Sequence, residues 1–464
     1  MSYPQQEYAV SHRRLFAAAT AALTACACFA TVPAEAHRAP SARDAVEVYS
    51  QHLPPLATIG GVRIDGSGWG SSWVARPGSD VLFYGLTDRG PNVDGPDGSK
   101  IEPLPNFTPS IGEFALIHGR AILLRTIPLR GADGTRYNGQ VNSQASTGET
   151  ITDLDGNVLP ASPYGYDPEG LVALRDGTFW VSDEYGPFIT HFDRWGRQIE
   201  RLSPYDGTLP AELKNREPNR GMEGLTVTPD GRTLVGIMQS ALNTPDGPKA
   251  KKATALRVVT VDLRTRATKE FVYLLHHGSE DVTTGASEIS ALSNTQFLVD
   301  ERDGSMEPGA NKKLFKIDLT GATDIGPDST VPGSTYDASK GGLIVNGQTI
   351  EAIAGKKSTV DAAVALQQNG IAPVSSALFL DVAGLVTAID PTGKFYGHDK
   401  LEGVAVLHGG RQVVIANDSD FGIDAVTNAA PPFQLHAKTL PDGTQDTLQL
   451  LKVDLSKVPA AYRG

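Results

Sequence analysis

Four segments of this chain are written to one plan, and an internal repeat narrows the choice of fold more than any other sequence feature. "PEGLVALRDGTFWVSDEYG" (168–186), "MEGLTVTPDGRTLVGIMQS" (222–240), "SEISALSNTQFLVDERDG" (287–304) and "LEGVAVLHGGRQVVIANDSDFG" (401–422) each place a glutamate ahead of an apolar strand, a polar turn and a second apolar strand. "SDVLFYGLTDRGPN" (79–92) reads as the second half of another copy. The glutamates fall at 169, 223, 288 and 402, with separations of 54, 65 and 114 residues, so a further, degenerate copy is expected near 330–380. A third apolar run follows in each copy, ending at or near Asp193, Asp262, Asp318 and Asp454, and "RQIERL" and "KEFVYLL" supply fourth strands to two of them. Short antiparallel strands in fours, repeated around an axis, make an all-β fold: a single β-propeller, expected to have six blades. Helical periodicity is confined to "TIEAIAGKKSTVDAAVALQQNG" (349–370), expected as a short helical insertion of one or two helices. The polar, turn-rich stretch from Arg130 to Tyr166 is expected as a long inter-blade excursion over one face.

The chain carries 49 glycines and 31 prolines, about 17% of 464 residues, which suits a loop-rich folded protein rather than a low-complexity one. Its formal net charge of −12 argues against nucleic acid as a partner, because phosphate-backbone affinity rests on clustered Lys and Arg. Residues 1–36 read as an export signal: Arg13 and Arg14, an apolar run from Leu15 to Val32, and "AEA" at 34–36 as the cleavage site. A lipid anchor at Cys26, within "LTAC", is the competing reading. Both cysteines lie in this leader, so cleavage after Ala36 leaves residues 37–464 without thiols, excluding disulfides and thiolate metal sites. No other stretch reaches 18 apolar residues, so no transmembrane span is expected in the mature chain. No Pro- or Ser-rich linker divides residues 37–464, which are expected as one domain in the periplasm or outside the cell.

Glu169, Glu223, Glu288 and Glu402 occupy one repeat position, so a closed array of repeats brings them to one mouth of its central channel. Converging carboxylates repel unless protonated or shared by a cation, and hard oxygen donors suit Ca²⁺, with Mg²⁺ and Mn²⁺ as alternatives. Asp88, Asp183, Glu184, Asp300, Glu301, Asp303, Asp418 and Asp420 close second strands and return to the same face. The metal set expected on this reasoning is Glu169, Glu223, Glu288, Glu402, Asp88 and Asp418. A structural role competes with it, in which the glutamates bond backbone amides of a neighbouring unit. Asp176, Asp230 and Asp303 fit hairpin-turn chemistry. Arg89, Arg220, Arg302, Lys312 and Lys313 lie among the acids, either to hold a phosphate or carboxylate or to pair with those acids. The sequence holds no G-x-S-x-G elbow, H-E-x-x-H helix or phosphate-binding G-x-x-x-x-G-K-[ST] loop, and adjacent His276 and His277 make a poor metal pair.

"DPEGLVALRDGTFWVSDEYGPFITHFDRWGR", "NRGMEGLTVTPDGRTLVGIMQS", "KKLFKIDLTGATDI" and "DKLEGVAVLHGGRQVVIANDSDFG" resemble the phytase-like domain family, described by its esterase-like activity of phytase, and the resemblance runs from about Thr58 to Asp454. It implies a secreted β-propeller hydrolase with calcium-dependent cleavage of a small-molecule phosphoester. "SEIS" stands where E-G is expected, and "IMQS" lacks the acidic strand end. On this reading Glu169, Asp183 and Glu184 carry the catalytic carboxylate chemistry and Arg89 or Arg302 holds the ester. A lactonase or carboxylic-ester hydrolase on the same scaffold, and a non-catalytic binding propeller stabilised by calcium, are the competing functions.

Overall fold

The structure, a computed structural model, describes residues 41–145, 148–276 and 284–464. The expected leader, with Cys26, and His277 lie outside the described residues. The chain is mostly β. Strand β1 (Val46–Ser50) comes first. The first four-stranded unit is β2 (Ser72–Ala75), β3 (Leu82–Leu86), β4 (Ser110–Ile117) and β5 (Arg120–Pro128). The second is β6 (Pro168–Ala173), β7 (Phe179–Asp183), β8 (Ile189–Phe192) and β9 (Gln198–Leu202). The third is β10 (Met222–Val227), β11 (Thr233–Met238), β12 (Ala255–Asp262) and β13 (Thr268–Leu274). The fourth is β14 (Gly285–Ala291), β15 (Gln296–Arg302), β16 (Lys312–Asp318) and β17 (Ser375–Asp381). The fifth is β18 (Leu401–Leu407), β19 (Gln412–Asn417), β20 (Gln449–Asp454) and, as its outer strand, β1, paired antiparallel from Val46↔Val453 to Ser50↔Gln449.

Among the described residues there are thus five units of four strands, not the six that the repeat spacing predicts, and a parallel bridge at Ser50↔Arg120 joins β1 to β5, so that the first and fifth units form one eight-stranded sheet. The long interval between Glu288 and Glu402 holds no further copy. An insertion between β16 and β17 carries a small three-stranded sheet (334–349) and helices α1 (Ile350–Ala354) and α2 (Thr359–Gln368), where the helical insertion is expected. A third helix, α3 (Val382–Ile389), follows β17 without a sequence signal that singles it out.

Alternation along each strand explains why these sheets pack face to face. In β7, Phe179 and Val181 join Tyr84, Leu86 and Leu171 between the first and second units, whereas Trp180 joins Leu225 and Leu234 between the second and third. Both faces are covered, so the strand is apolar from Phe179 to Val181. Further clusters lie between the third and fourth units (Val235, Ile289, Phe297), the fourth and fifth (Leu298, Leu380, Val404, Ile415) and the fifth and first (Trp73, Phe83, Val414, Leu450). Every unit therefore packs on two neighbours in cyclic order, and the first strands β2, β6, β10, β14 and β18 touch in the same order. Each fully buried Leu, Val or Phe contributes roughly 1.5–3 kcal/mol relative to exposure.

Where the first strands meet, space runs out. A Cβ on Gly224 would stand 2.5 Å from the Ile289 amide nitrogen, and one on Gly403 would stand 2.6 Å from that of Trp73. Each first strand relieves the crowding with an irregularity that sets its preceding residue out of the ladder, at Glu169, Glu223, Ser287 and Glu402. The register puts Glu288 one residue further on, at the position that Gly170, Gly224 and Gly403 fill elsewhere. Glu288 is therefore on the axis and not at the mouth. Ser72 Oγ donates to Glu288 Oε2 at 2.6 Å, and the amides of Ile289 (2.9 Å) and Leu225 (3.3 Å) donate to Oε1. Ser72 Oγ also accepts the Leu171 amide at 3.2 Å. The two side chains satisfy axial amides and fill the space that three glycines leave.

Burial raises the Glu288 pKa well above its ordinary 4.5. Its native carboxyl thus keeps a proton that the unfolded chain releases above about pH 4.5. The associated stability is complete below that pH and declines as pH climbs toward the native value. The melting temperature of Glu288→Gln relative to wild type should therefore rise between pH 4.5 and 8, because the amide stays neutral throughout. Glu288→Ala should lose about 2 kcal/mol from orphaned axial amides. A Gln-to-wild-type difference independent of pH would contradict the assignment.

Candidate functional site

Two rings of side chains follow from the strand registers. The residues set out of the first strands are Ser71, Glu169, Glu223, Ser287 and Glu402; Leu86 meets both Gly70 and Ser72, which leaves Ser71 unpaired in the first unit. The corresponding ends of the second strands carry Asp88, Glu184, Gln239, Arg302 and Asp418. One cavity of about 310 Å³ is lined by Asp88, Arg89, Glu169, Glu184, Glu223, Gln239, Arg302, Glu402 and Asp418, so eight of the ten expected site residues share it. Glu288 is excluded by its axial position. Asp183 is excluded as well: it is fully buried and accepts the amides of Asp167 (2.8 Å) and Gly186 (2.5 Å), which fixes the main chain leading into Glu169. Burial pushes Asp183 up to about 7 against those two bonds.

Asp167, Glu169 and Glu184 each present a carboxylate oxygen within 4.8 Å of the others. Burial, then Asp167, Glu223 and Glu184, push Glu169 well above the usual carboxylate range. Burial and Glu223 do the same to Glu184, and burial with Asp418 to Asp88. Burial pushes Glu223 up to about 7 against hydrogen bonds from Glu184 and Gln239, whose Nε2 donates to Glu223 Oε1 at 2.5 Å. Burial and Asp420 push Asp418 up to about 7. Glu184 Oε1, Glu223 Oε2 and Glu402 Oε2 are buried without a hydrogen-bond partner. Such crowding is costly for ionised groups, and a cation among them removes the cost.

Three cations border the acids. The Arg89 guanidinium bonds Tyr185 Oη, Glu149 (3.2 Å) and Asn92 (3.1 Å) and lies 3.7 Å from Asp167. Arg302 pairs with Glu402 of the next unit. Lys400 Nζ lies 2.5 Å from Asp420 and 3.2 Å from Asp418. Against burial, Lys400 and Lys438 hold Asp420 well below the usual carboxylate range.

Residues 71–421 match the phytase-like family, described as esterase-like activity of phytase. The chain belongs to the phytase-like family. It is also 30% identical over 232 aligned positions to an uncharacterized secreted protein of Arthroderma benhamiae, covering 39% of this chain and 45% of that protein, so it spans under half of that relative's length. A protein from Lactobacillus plantarum superposes at a TM-score of 0.33 with 10% identity, over 88% of this chain and 95% of that one. The Malassezia sympodialis allergen Mala s 1 superposes at 0.32 with 11% identity, over 83% and 78%. Likeness at this level adds nothing to the assignment of the site.

In this phytase-like chain, several residues of the cavity escape a reading centred on the repeat glutamates, Gln239 and Asp399 among them, and two of these carry a signal in the repeat: Asp167 and Lys400. Both stand two positions ahead of an outset glutamate, in "DPEG" and "KLEG", where the third and fourth units have Gly221 and Gly285. Comparing the copies at that offset finds them. Lys438 carries no such signal; it reaches Asp399 and Asp420 at 2.7 Å from a distant loop.

Arg302→Met should lower stability by about 3 kcal/mol by leaving Glu402 buried without its cation. Adding Glu402→Gln should recover most of the loss. Urea denaturation of the single and double variants measures both effects, and strictly additive losses would show that the two side chains do not interact.

Proposed function

We propose that this phytase-like chain is an exported hydrolase of phosphoric esters, built as a five-bladed β-propeller with calcium held at one mouth. The convergence of Asp167, Glu169, Glu184 and Glu223 in one cavity, with buried carboxylate oxygens that lack partners, carries the reading. An all-oxygen donor set without thiols fits a hard divalent cation, and Asp167, Glu169 and Glu184 would hold it with Glu223, Glu402, Asp88 and Asp418 around them. The family description supports ester hydrolysis. Export rests on the leader expected over residues 1–36 and is supported by the secreted relative. Among the described residues no helix is long and apolar enough to cross a membrane.

Bound there, calcium supplies charge neutralisation at a phosphoryl oxygen. Glu223, pushed up to about 7 and oriented by Gln239, takes the proton of the attacking water as general base. Water oxygen bonds phosphorus as the bond to the ester oxygen breaks, and the proton that Glu223 took from the water passes to the departing alkoxide. Arg302 steadies the non-bridging oxygens. Arg89, held by Glu149 and Tyr185, keeps Asp167 in place; Asp183 positions the same segment through its amides.

The test is hydrolysis of an aryl phosphate, its diester, phytate and an aryl acetate by residues 37–464, with calcium or with chelator. Calcium-dependent phosphate release should fall by at least about a hundredfold in Glu169→Gln. Turnover of the acetate alone would assign a carboxylic-ester hydrolase, and no turnover with calcium still raising the melting temperature would assign a binding protein. Because protons occupy these carboxyls up to neutral pH, calcium affinity should climb from pH 5 to 8, on the order of tenfold per unit for each proton displaced. Calorimetric titration at both pH values measures it.

A further inference from the structure

The acidic cavity opens into a larger one of about 690 Å³, with Gln239, Arg302 and Lys400 common to both. The two rings are not uniform around the axis. The first, second and fifth units present Asp88, Glu169, Glu184, Glu402 and Asp418, whereas the third and fourth present Gln239, Ser287 and Arg302 beside Glu223. The larger cavity lies against this second, less acidic arc. Its cations are nearly all neutralised: Lys100 by Asp94 (2.5 Å), Lys251 by Glu217 (3.5 Å), Arg302 by Glu402 and Lys400 by Asp418 and Asp420.

Arg220 is the exception. It is half-buried in the cavity wall, and among the described residues its guanidinium makes no hydrogen bond or ion pair. Gly285 lies beside it on the same wall: a Cβ there would be in ordinary contact with Arg220 Nη1, at 3.8 Å. Two further observations mark this wall as built to receive something. Asn219, the preceding residue, holds a left-handed φ of 54° and has its side-chain oxygen buried without a partner. Arg302 Nε, on the same wall, is also buried and unbonded. A planar guanidinium with all its donors free beside such a wall suits bidentate contact with a carboxylate or phosphate.

We propose that Arg220 is the positioning residue that receives a second anionic group of the substrate, one apart from the ester that is cut, so that preferred substrates carry two anionic groups. The assignment deepens the ester-hydrolase reading and rests on it for the word substrate. The anion subsite itself does not depend on hydrolysis. The acidic arc handles the reacting ester and the Arg220 arc fixes the other end, which sets the orientation of the bond at Glu184 and Glu223.

Calorimetric titration of inorganic phosphate, in chelator so that metal-held phosphate does not contribute, compares wild type, Arg220→Gln and Arg220→Lys. The Gln variant should bind on the order of tenfold more weakly, as expected for one lost charged hydrogen bond, and the Lys variant should recover part of the loss. Both variants should stay folded, because among the described residues the Arg220 side chain makes no hydrogen bond or ion pair and bears on Glu184 only through its charge. In parallel, the kcat/KM preference for carboxyphenyl phosphate over phenyl phosphate should collapse in the Gln variant. Equal phosphate binding by wild type and Arg220→Gln, or no binding by wild type, overturns the proposal. Phosphate binding lost with Arg220, without hydrolysis of either ester, keeps the anion subsite and removes the hydrolase reading instead.

Discussion

Crowding at the axis governs this molecule. Five first strands approach so closely that a methyl group at Gly170 or Gly224 would run into the backbone of the next unit. The chain answers with a residue set out of the ladder, followed by glycine in the second, third and fifth units, and the outset residue has only one way to go, toward the mouth. The recurring E-G pair is therefore one device with two duties. Its glycine lets the units close, and its glutamate is delivered to the cavity by that closure. Packing and chemistry are coupled at each of these positions.

The same coupling explains the electrostatics. Closure buries the glutamates, and the strand ends bring Asp88, Glu184 and Asp418 in beside them. The pKa values of Glu169, Glu184, Asp88 and Asp418 rise mainly because water is gone and secondly because like charges are near. Arg89, Arg302, Lys400 and Lys438 offset part of the charge, each tied to named carboxylates. What is left unpaired differs around the axis: oxygens of Glu184 and Glu402 on the acidic arc, and on the other the Arg220 guanidinium with one oxygen of Glu223. That division gives the cavity direction.

Much of this was legible in the sequence because strand pairs, turns and apolar alternation are local signals. The third-strand aspartates illustrate the point: Asp193 accepts the amides of Trp195 and Arg197, and Asp318 that of Thr320, which makes them turn formers. Glu288 was legible as a repeat glutamate but not as an axial one. A one-residue offset changes which way a strand residue faces, and only the register reveals it. The insertion between β16 and β17 is about one repeat long, so it mimicked a sixth copy in the spacing. Lys438 was hidden for another reason, since its partners come together only through a long loop whose path no local pattern encodes. The arginines among the acids were visible as a set, yet which one stays unpaired depends on distances that spacing does not carry.

Strand β1 has a consequence for how the protein is made. Among the described residues it is the earliest strand, and its partner β20 is the last. The pairing from Val46 to Ser50 is thus the most non-local strand pairing among them, and it cannot form until β20 has arrived. A polypeptide passing through a membrane from its N-terminus would carry β1 across first and hold it waiting, while the other four units assemble behind it. The ring then locks in a single terminal event. A chain interrupted before β20 would present an unpaired outer strand and an open fifth unit, a state that a protease or chaperone on the far side can recognise. Arrival of β20 and completion of the cavity are, by this topology, the same moment.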